Sequence, residues 1–306
     1  MDIGTNSVLL LICQAGEDGS LSVVREVCTI TRLGQEVAST GRLHEDAIRR
    51  TLAALGTFAN DMEQANVTWR AAVGTEALRG VDNGAHFLAR AETLLGCPVE
   101  VVSGQREAEL MVAGVTGDLG PLPGRTLLVD IGGGSTELVV VEHGRLAEPP
   151  LSLPLGAVRL TERYLRSDPP GPREIGAVRG EARATLVRLP PSMLQVDRLI
   201  GTAGTITTLA TVQLGLERYD TDRVNGLELD GSTVALHHDL FKALSLEQRQ
   251  GLPGLDPARA DVILAGVVIL QELMRLTVDR LTVCDRGVRW GLLRQGLSAN
   301  RPVPGQ

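Results

Sequence analysis

Two short stretches of this sequence carry residue types that bind phosphate and magnesium. The first, "DIGTNS", begins at Asp2, and the second, "DIGGGSTE", begins at Asp130, 128 positions later. Each contains an Asp-Ile-Gly and, five positions after the Asp, a Ser. Glycines allow backbone N–H groups to face an approaching anion, and an Asp carboxylate is a hard oxygen ligand suited to Mg²⁺. The chemistry indicated is recognition of a magnesium-bound phosphate group.

The repetition makes this interpretation stronger than a single motif would. One such hairpin is common, whereas two copies in register predict that a phosphate chain is held from both sides. The residues expected to bind phosphate are Gly4, Thr5, Asn6 and Ser7 in the first loop and Gly132, Gly133, Gly134, Ser135 and Thr136 in the second. The residues expected to hold Mg²⁺, directly or through water, are Asp2, Asp130 and Glu137. Glu137 interrupts an otherwise apolar strand, where an unpaired charge is costly, and we expect it to serve the site.

Composition excludes several other classes of function. Of the 306 residues 43% are hydrophobic and 2% aromatic, and the net charge is −7, which argues against partners such as nucleic acid and membrane surfaces. Lys242 is the only lysine, so a Walker-type P-loop and Schiff-base chemistry are both excluded. No apolar run is long enough to span a membrane, and no signal peptide is evident, so we expect a cytoplasmic protein.

The cysteines and histidines show no metal-binding pattern. Four cysteines stand far apart without a CxxC, and we expect buried free thiols. His237 and His238 are expected to form a surface pair on a helix.

Both halves of the chain predict the same order of elements: hairpin strands first, then alternating helices and strands. In the first half we expect strands at 8–13, 21–27, 69–73 and 99–102, with the turn "QAGEDGS" inside the first hairpin, and helices at 45–65, 83–95 and 106–115. In the second half we expect strands at 126–130, 138–142, 146–153, 198–200 and 280–283, and helices at 259–276 and 288–297. The linker "GDLGPLPG" (117–124) predicts a first domain at 1–118, completed by a C-terminal helix at about 288–306, and a second domain at 119–287. Since one residue precedes Asp2, whereas "TLLV" precedes Asp130, the first strand is expected to be short.

Several longer stretches resemble a known family. With the two loops, the stretch "GTAGT" at Gly201, Thr202, Gly204 and Thr205 resembles the phosphate loops of the actin, Hsp70 and sugar-kinase superfamily. The stretches "VVSGQREAELMVAGV", "LPLGAVRLTERY", "RADVILAGVVIL" and "CDRGVRWGLL" resemble the exopolyphosphatase and guanosine pentaphosphate phosphohydrolase (Ppx/GppA) family, in its short two-domain form. The resemblance implies an α/β fold of two duplicated actin-like (ribonuclease H-like) domains with mixed sheets and an inter-domain cleft.

The resemblance also assigns roles to individual residues. It implies that Glu107 activates the attacking water, that Asp130 and Glu137 contact metal and phosphate with catalytic roles, and that Mg²⁺ is the cofactor. Two departures stand out: Arg106 occupies a position where the family often has a second acid, and Trp290 one where it usually has Glu. Separately, Arg159, Arg163 and Arg166 have the spacing of one helical face. Such a stripe is more often a solvated face, and the alternative is a track for the distal part of a polyanion.

These observations favour hydrolysis of terminal phosphoanhydride bonds in inorganic polyphosphate. The alternatives are removal of the 5′-phosphate from guanosine pentaphosphate, a non-hydrolytic nucleotide or alarmone sensor, and a kinase, for which no second-substrate motif is evident. The sequence leaves open the oligomeric state, with a homodimer as one alternative.

Overall fold

The computed structural model describes residues 1–16 and 20–300, so part of the expected "QAGEDGS" turn lies outside the described residues. The chain divides into two compact units. Unit 1 comprises Met1–Asp118 and the C-terminal segment from Val288, and unit 2 comprises Leu119–Gly287.

Unit 1 contains a mixed sheet, which has five strands within the described residues. The strands are β1 (Asp2–Ile3), β2 (Ser7–Ala15), β3 (Leu21–Ile30), β4 (Ala72–Gly74) and β5 (Val99–Val101). Their order is β3-β2-β1-β4-β5, with antiparallel β3-β2-β1 pairs and parallel β1-β4-β5 pairs. Alternate residues of β2 are buried, as expected for a strand with one face on the core.

The helices of unit 1 cover this sheet. They are α1 (Val37–Thr40), α2 (Glu45–Gln64), α3 (Gly84–Leu95), α4 (Gly104–Leu119) and α13 (Val288–Asn300), with a 3₁₀ turn at Glu76–Leu78. The apolar residues of α2 recur at three- and four-residue spacings, so Ile48, Leu55 and Phe58 all enter the core. Gly96 ends α3 in the left-handed conformation that an L side chain rarely adopts.

Unit 2 repeats this arrangement. Its strands are β6 (Arg125–Ile131), β7 (Thr136–Glu142), β8 (Arg145–Leu146), β9 (Leu151–Leu153), β10 (Arg198–Thr202), β11 (Glu228–Asp230) and β12 (Arg280–Val283). The hairpin β6–β7 is antiparallel, β6 pairs in parallel with β10, and β10 in parallel with β12. The β7-β6-β10-β12 order therefore matches β2-β1-β4-β5 of unit 1, and β11 adds an antiparallel edge. The predicted duplication and the mixed α/β class are confirmed.

The core of unit 2 is built on one apolar helix. The helices are α5 (Ala157–Tyr164), α6 (Pro172–Leu186), α7 (Pro191–Leu194), α8 (Ala203–Gln213), α9 (Thr221–Val224), α10 (Gly231–Ala243), α11 (Leu246–Gln250) and α12 (Ile263–Leu276). A 3₁₀ turn at Pro257–Arg259 precedes α12. Every residue of α12 from Ile263 to Met274 is buried, as expected for a helix that is apolar around its whole circumference.

Several element boundaries differ from the sequence prediction. The strand expected at 146–153 is two short strands, because Pro149 and Pro150 lack the N–H groups that a continuous ladder needs. Helix α4 continues three residues into the expected linker, to Leu119. The helix expected from residue 259 begins at Ile263.

The predicted environment of the cysteines is wrong for three of them. None of the four forms a disulfide, but only Cys284 is buried; Cys13 and Cys97 are half-buried and Cys28 is exposed. Cys28 lies on β3, which pairs with β2 alone at the edge of its sheet. Apolar sequence neighbours therefore did not imply burial, since alternate residues of a strand face opposite sides.

The prediction for His237 and His238 is also wrong. Both side chains are buried, with 4% and 5% of their surface exposed. His237 packs edge-on against Phe241, one helical turn away, and its Nδ1 lies 3.0 Å from the carbonyl oxygen of Thr233. Burial lowers the pKa of both imidazoles.

These two histidines predict a loss of stability in mild acid. Because the folded-state pKa values lie below 6.5, the unfolded chain binds more protons as the pH falls below 6.5. Above pH 6.5 the burial of the neutral imidazoles carries no protonation penalty. Below it, each histidine lowers the free energy of unfolding by at most about 1.4 kcal/mol per pH unit. Urea denaturation at pH 7.5 and 5.5 should show a smaller fall in the free energy of unfolding for His237→Gln and His238→Gln than for the unmodified protein. Equal falls would contradict this assignment.

Among the described residues, no helix is both long enough and apolar enough to cross a membrane.

Candidate phosphate-binding and catalytic site

The two repeated loops close with the same backbone hydrogen bond. Gly4 N–H donates to the carbonyl of Ser7 at 2.9 Å, and Gly132 N–H donates to the carbonyl of Ser135 at 3.0 Å. Each loop joins the first two strands of its unit. The sequence repeat therefore forms the same tight hairpin in both units.

In unit 2 the loop carbonyls face the start of α5. The carbonyl of Gly132 accepts from Ala157 N–H at 3.0 Å, and that of Gly133 accepts from Val158 N–H at 2.9 Å. The carbonyl of Gly134 accepts from Nε of Arg159 at 2.9 Å. Because C=O and N–H point in opposite directions in a trans peptide, the N–H groups of residues 133, 134 and 135 face away from α5. Three adjacent donors on one side form a nest for an anion.

In unit 1 the segment after β3 holds the first loop in the same way. Gly34 N–H donates to the carbonyl of Thr5 at 2.8 Å, and the N–H groups of Thr31 and Arg32 donate to the carbonyl of Asn6 at 3.0 and 2.9 Å. The same peptide geometry turns the N–H groups of Asn6 and Ser7 away from this segment. The carbonyls that accept are at equivalent positions of the two loops.

Two threonines among the residues expected to bind phosphate donate their hydroxyls to main-chain carbonyls. Thr136 is fully buried and its hydroxyl donates to the carbonyl of Leu155. The hydroxyl of Thr205, on α8, donates to the carbonyl of Ile131 at 3.2 Å. These two hydroxyl bonds fix the second loop to its surroundings. In the first loop, Thr5 directs its hydroxyl to Glu76 at 3.4 Å.

Four polar side chains form a row across the sheet of unit 2. In the strand registers Asp130 pairs with Glu137 on β7 and with Thr202 on β10, and Glu137 pairs with Ser152 on β9. Thr202 donates to Oδ2 of Asp130 at 2.9 Å, and Ser152 donates to Oε1 of Glu137 at 2.7 Å. Asp130 and Glu137 are buried, with 9% and 1% of their surface exposed. We name Ser152, Glu137, Asp130 and Thr202 the carboxylate row.

The carboxylate row has the donor chemistry that Mg²⁺ prefers. Directly opposed side chains of an antiparallel pair have Cβ atoms about 4.5–5.5 Å apart, where like charges repel. A divalent cation relieves that repulsion, and Mg²⁺ in phosphoryl-transfer sites is commonly held by one or two carboxylates together with substrate oxygens. The described residues contain no cluster of three or more His, Cys, Asp or Glu side chains arranged for a metal. The two carboxylates of the row suit an ion whose remaining ligands come from substrate and water.

Asp2 lies at the equivalent position of unit 1. Its Oδ1 is buried without a hydrogen-bond partner. Burial raises the pKa of Asp2 to about 6, against the opposing influence of the N-terminal ammonium and Arg289. Such an oxygen can bind a cation or an ordered water.

Glu107 lies in the first turn of α4 and is buried, with 7% of its surface exposed. Its Oε2 forms an ion pair with Arg79, and Nε of Arg79 donates to the carbonyl of Val102 at 2.9 Å. The guanidinium is thus fixed by the backbone and holds the carboxylate in one orientation. The sequence interpretation missed Arg79, whose only signal was an arginine directly after the apolar turn residues Ala77 and Leu78.

Arg106 faces away from this pair. Its guanidinium lies 3.6 Å from Glu109 and 3.7 Å from Glu100, both partly exposed. Adjacent residues of a helix project about 100° apart, so a charge at 106 does not share the environment of Glu107. Trp290, the second departure from the family pattern, is buried in the packing of α13.

The stretch "GTAGT" is a direct strand-to-helix junction, where the sequence predicted a loop. Gly201 and Thr202 end β10, and Ala203 begins α8 with φ of 67°. A left-handed non-glycine residue is uncommon and is found preferentially at functional sites. A Cβ on Gly204 would lie 1.5 Å from Nη1 of Arg259, so the missing side chain admits that guanidinium. Arg259 is the first residue of the stretch "RADVILAGVVIL", and its position in the sequence gave no signal for this contact.

The three arginines predicted to form a helical track do not share a helix face. Helix α5 ends at Tyr164, so Arg166 lies beyond it. Arg159 holds the carbonyl of Gly134, and Arg163 pairs with Glu181 at 3.3 Å. The prediction failed because the spacing was extended past the end of a helix of eight residues.

Comparisons with known proteins agree with this architecture. The Ppx/GppA phosphatase family model matches residues 12–299. The chain is 36% identical to exopolyphosphatase 2 of Mycobacterium tuberculosis, over 95% of this chain and 96% of that protein. It superposes on the crystal structure of the Aquifex aeolicus Ppx/GppA family member with a TM-score of 0.80 and 36% identity, covering 98% of this chain and 97% of that one. With an exopolyphosphatase from Cytophaga hutchinsonii the TM-score is 0.89 at 25% identity, covering 98% and 97%.

The family match covers most of the chain, and the relatives are matched over nearly their full length. Together with the paired glycine loops and the duplicated mixed sheets, this establishes that the chain belongs to the Ppx/GppA phosphatase family.

Proposed function

We propose that this protein is an exopolyphosphatase, which hydrolyses the terminal phosphoanhydride bond of inorganic polyphosphate and releases orthophosphate. The observation that carries the proposal is the buried ion pair of Glu107 and Arg79, in a chain whose two glycine loops form the same backbone hairpin. The similarity to exopolyphosphatase 2 of Mycobacterium tuberculosis supports the choice of substrate.

Each part of the reaction has a candidate group. Glu107 accepts a proton from water as the water oxygen attacks the terminal phosphorus. The bond from that phosphorus to the bridging oxygen breaks, and the shortened chain leaves with the electron pair. Arg79 holds the carboxylate of Glu107 in a single orientation for this proton transfer. Backbone N–H groups of a glycine loop would bind phosphoryl oxygens on which negative charge accumulates.

Magnesium is the cofactor we propose. Asp130 and Glu137 would hold it, since these carboxylates are buried side by side in one sheet and suited to a hard cation. The ion supplies neutralisation of charge on the transferring phosphoryl group. Removal of Mg²⁺ by a chelator should abolish phosphate release, and addition of Mg²⁺ in excess should restore it.

The preference for polyphosphate follows from what the nests recognise. Backbone N–H groups contact phosphate oxygens and carry no information about a nucleoside. A guanosine enzyme needs a further pocket with apolar or aromatic walls, and this chain has only two Trp, two Tyr and three Phe. Phe58, Phe87 and Phe241, the three phenylalanines, are all fully buried in the cores.

Competition kinetics test this preference. With linear polyphosphate and guanosine pentaphosphate at equal concentration, we expect a higher kcat/KM for polyphosphate. A higher kcat/KM for the pentaphosphate would replace the proposed substrate by the alternative one and leave the role of Glu107 intact. Equal inertness of the unmodified protein and Glu107→Gln towards both compounds would favour a non-hydrolytic sensor.

A further inference from the structure

Because the two units repeat one arrangement of strands, the carboxylate row of unit 2 can be compared with the equivalent row of side chains in unit 1. Across unit 2 the strand registers align the carboxylate row, Ser152, Glu137, Asp130 and Thr202. At the equivalent positions of unit 1 the registers align Cys28, Leu9, Asp2 and Val73. Only the Asp is common to both rows.

At each position where the rows differ, unit 2 has a side chain with a polar oxygen and unit 1 does not. Unit 2 has a second carboxylate where unit 1 has Leu9, and its two outer positions are hydroxyl residues. Each hydroxyl donates to a carboxylate beside it, at 2.7 Å from Ser152 and 2.9 Å from Thr202. In unit 1, Oδ1 of Asp2 is buried without a hydrogen-bond partner. The hydroxyls therefore accompany the carboxylate pair and are not a general property of the repeated fold.

The hydroxyl of Thr202 does not make the helix-capping hydrogen bond that is usual at its position. It is the N-cap residue of α8, where a threonine hydroxyl usually accepts from a backbone N–H of the first helical turn. No such capping bond is formed, and the fully buried hydroxyl donates to Asp130. Ser152 is exposed on its short strand, yet its hydroxyl is directed to the buried Glu137.

We propose that Ser152 and Thr202 are positioning residues for the metal-binding carboxylates: each hydroxyl fixes the orientation of one carboxylate, so that Glu137 and Asp130 are preorganised for a shared divalent cation. This inference rests on the proposed function. Hydrogen bonds to metal-ligating carboxylates fix ligand geometry, and removing such outer partners typically lowers metal affinity about 10- to 100-fold.

The test is metal binding by the full-length protein, measured with Mn²⁺ as the probe by electron paramagnetic resonance of the unbound ion. We expect Ser152→Ala and Thr202→Val to weaken Mn²⁺ binding about 10- to 100-fold, because each removes a hydroxyl with little change of shape. The conservative variants Ser152→Thr and Thr202→Ser retain a hydroxyl and should recover most of the affinity. A merely structural role would change the melting temperature without this pattern of loss and recovery.

Matched controls lie within the same unit. Ser192 donates to Oε2 of Glu148 at 2.9 Å, so Ser192→Ala removes a similar hydroxyl-to-carboxylate bond outside the row. Thr126 is fully buried at the opposite end of β6, so Thr126→Val controls for the loss of a buried threonine hydroxyl. Both controls should bind Mn²⁺ as the unmodified protein does.

The outcomes separate this inference from the proposed function. If the unmodified protein binds Mn²⁺ and releases phosphate but Ser152→Ala and Thr202→Val bind the ion within twofold of it, the positioning role is overturned and the proposed hydrolysis stands. If the unmodified protein releases phosphate without binding Mn²⁺, both the positioning role and the metal proposal fail. If it binds Mn²⁺ with the expected pattern of variants but hydrolyses nothing, the positioning role stands and the proposed reaction fails.

Discussion

Replacing Glu107 by glutamine is expected to lower turnover on polyphosphate by about 10²- to 10⁴-fold, the usual contribution of a general base. Glutamine keeps the length of the side chain and an oxygen that can accept from Arg79, but it cannot take a proton from water. KM should change little, because the N–H groups proposed to bind phosphate belong to the backbone at other positions. Steady-state phosphate release with measured kcat and KM provides the readout.

A matched control lies two residues further along the same helix. Glu109 is partly exposed and pairs with Arg106 at 3.6 Å. Glu109→Gln makes the same chemical change on α4 outside the Glu107–Arg79 pair, and its turnover should stay within about twofold of the unmodified protein, as expected for a surface substitution away from special features. Near-native turnover of a folded Glu107→Gln would exclude Glu107 as the base.

Replacing Gly156 by alanine is expected to lower turnover about 10²-fold. The added Cβ would lie 2.3 Å from the carbonyl oxygen of Gly133 and 2.5 Å from the carbonyl carbon of Gly134. Neither atom can yield without moving the backbone of the second loop, which carries the three N–H groups of the nest. A displacement of catalytic groups by about 1 Å can cost about 10²-fold in rate.

Gly176→Ala serves as the control for this change. Gly176 lies in α6 with open space at the position of a Cβ. Alanine there should leave turnover unaltered and stabilise the protein by about 0.5–1 kcal/mol, since glycine is a poor helix former. If Gly156→Ala retained native turnover and native melting temperature, the close packing of residue 156 against the second loop would not be needed to shape the nest.

The parts of the fold that sequence predicted well were those with local signals. The apolar spacing of α2, the glycine loops and the order of strands in each half depend on neighbouring residues. The split strand before Leu151 shows where such signals fail, because an apolar run was given more weight than Pro149 and Pro150. The histidines of α10 failed for another reason: burial of His237 depends on α12 and other elements far away in the chain.

In the candidate site, too, residues with local sequence signals were predictable and contacts formed by the tertiary fold were not. The glycines and carboxylates of both loops were identifiable because their types and spacing are unusual. The partners of the carboxylates were not, since Ser152 reaches Glu137 only through the tertiary fold. Arg79 reaches Glu107 in the same way. Thr136 was assigned to phosphate by residue type and Thr205 by the family resemblance, and both hydroxyls donate to main-chain carbonyls. Backbone hydrogen bonds decided which hydroxyls are available, and the sequence does not display them.

The most direct test of the proposed function is phosphate release from linear polyphosphate by the unmodified protein in the presence of Mg²⁺, with the remaining chains resolved on a gel. The proposed reaction predicts that orthophosphate accumulates while the chains shorten progressively from their ends, and that Glu107→Gln reduces this release by at least about 10²-fold. Release by the unmodified protein no greater than that by a folded Glu107→Gln variant would contradict the proposal.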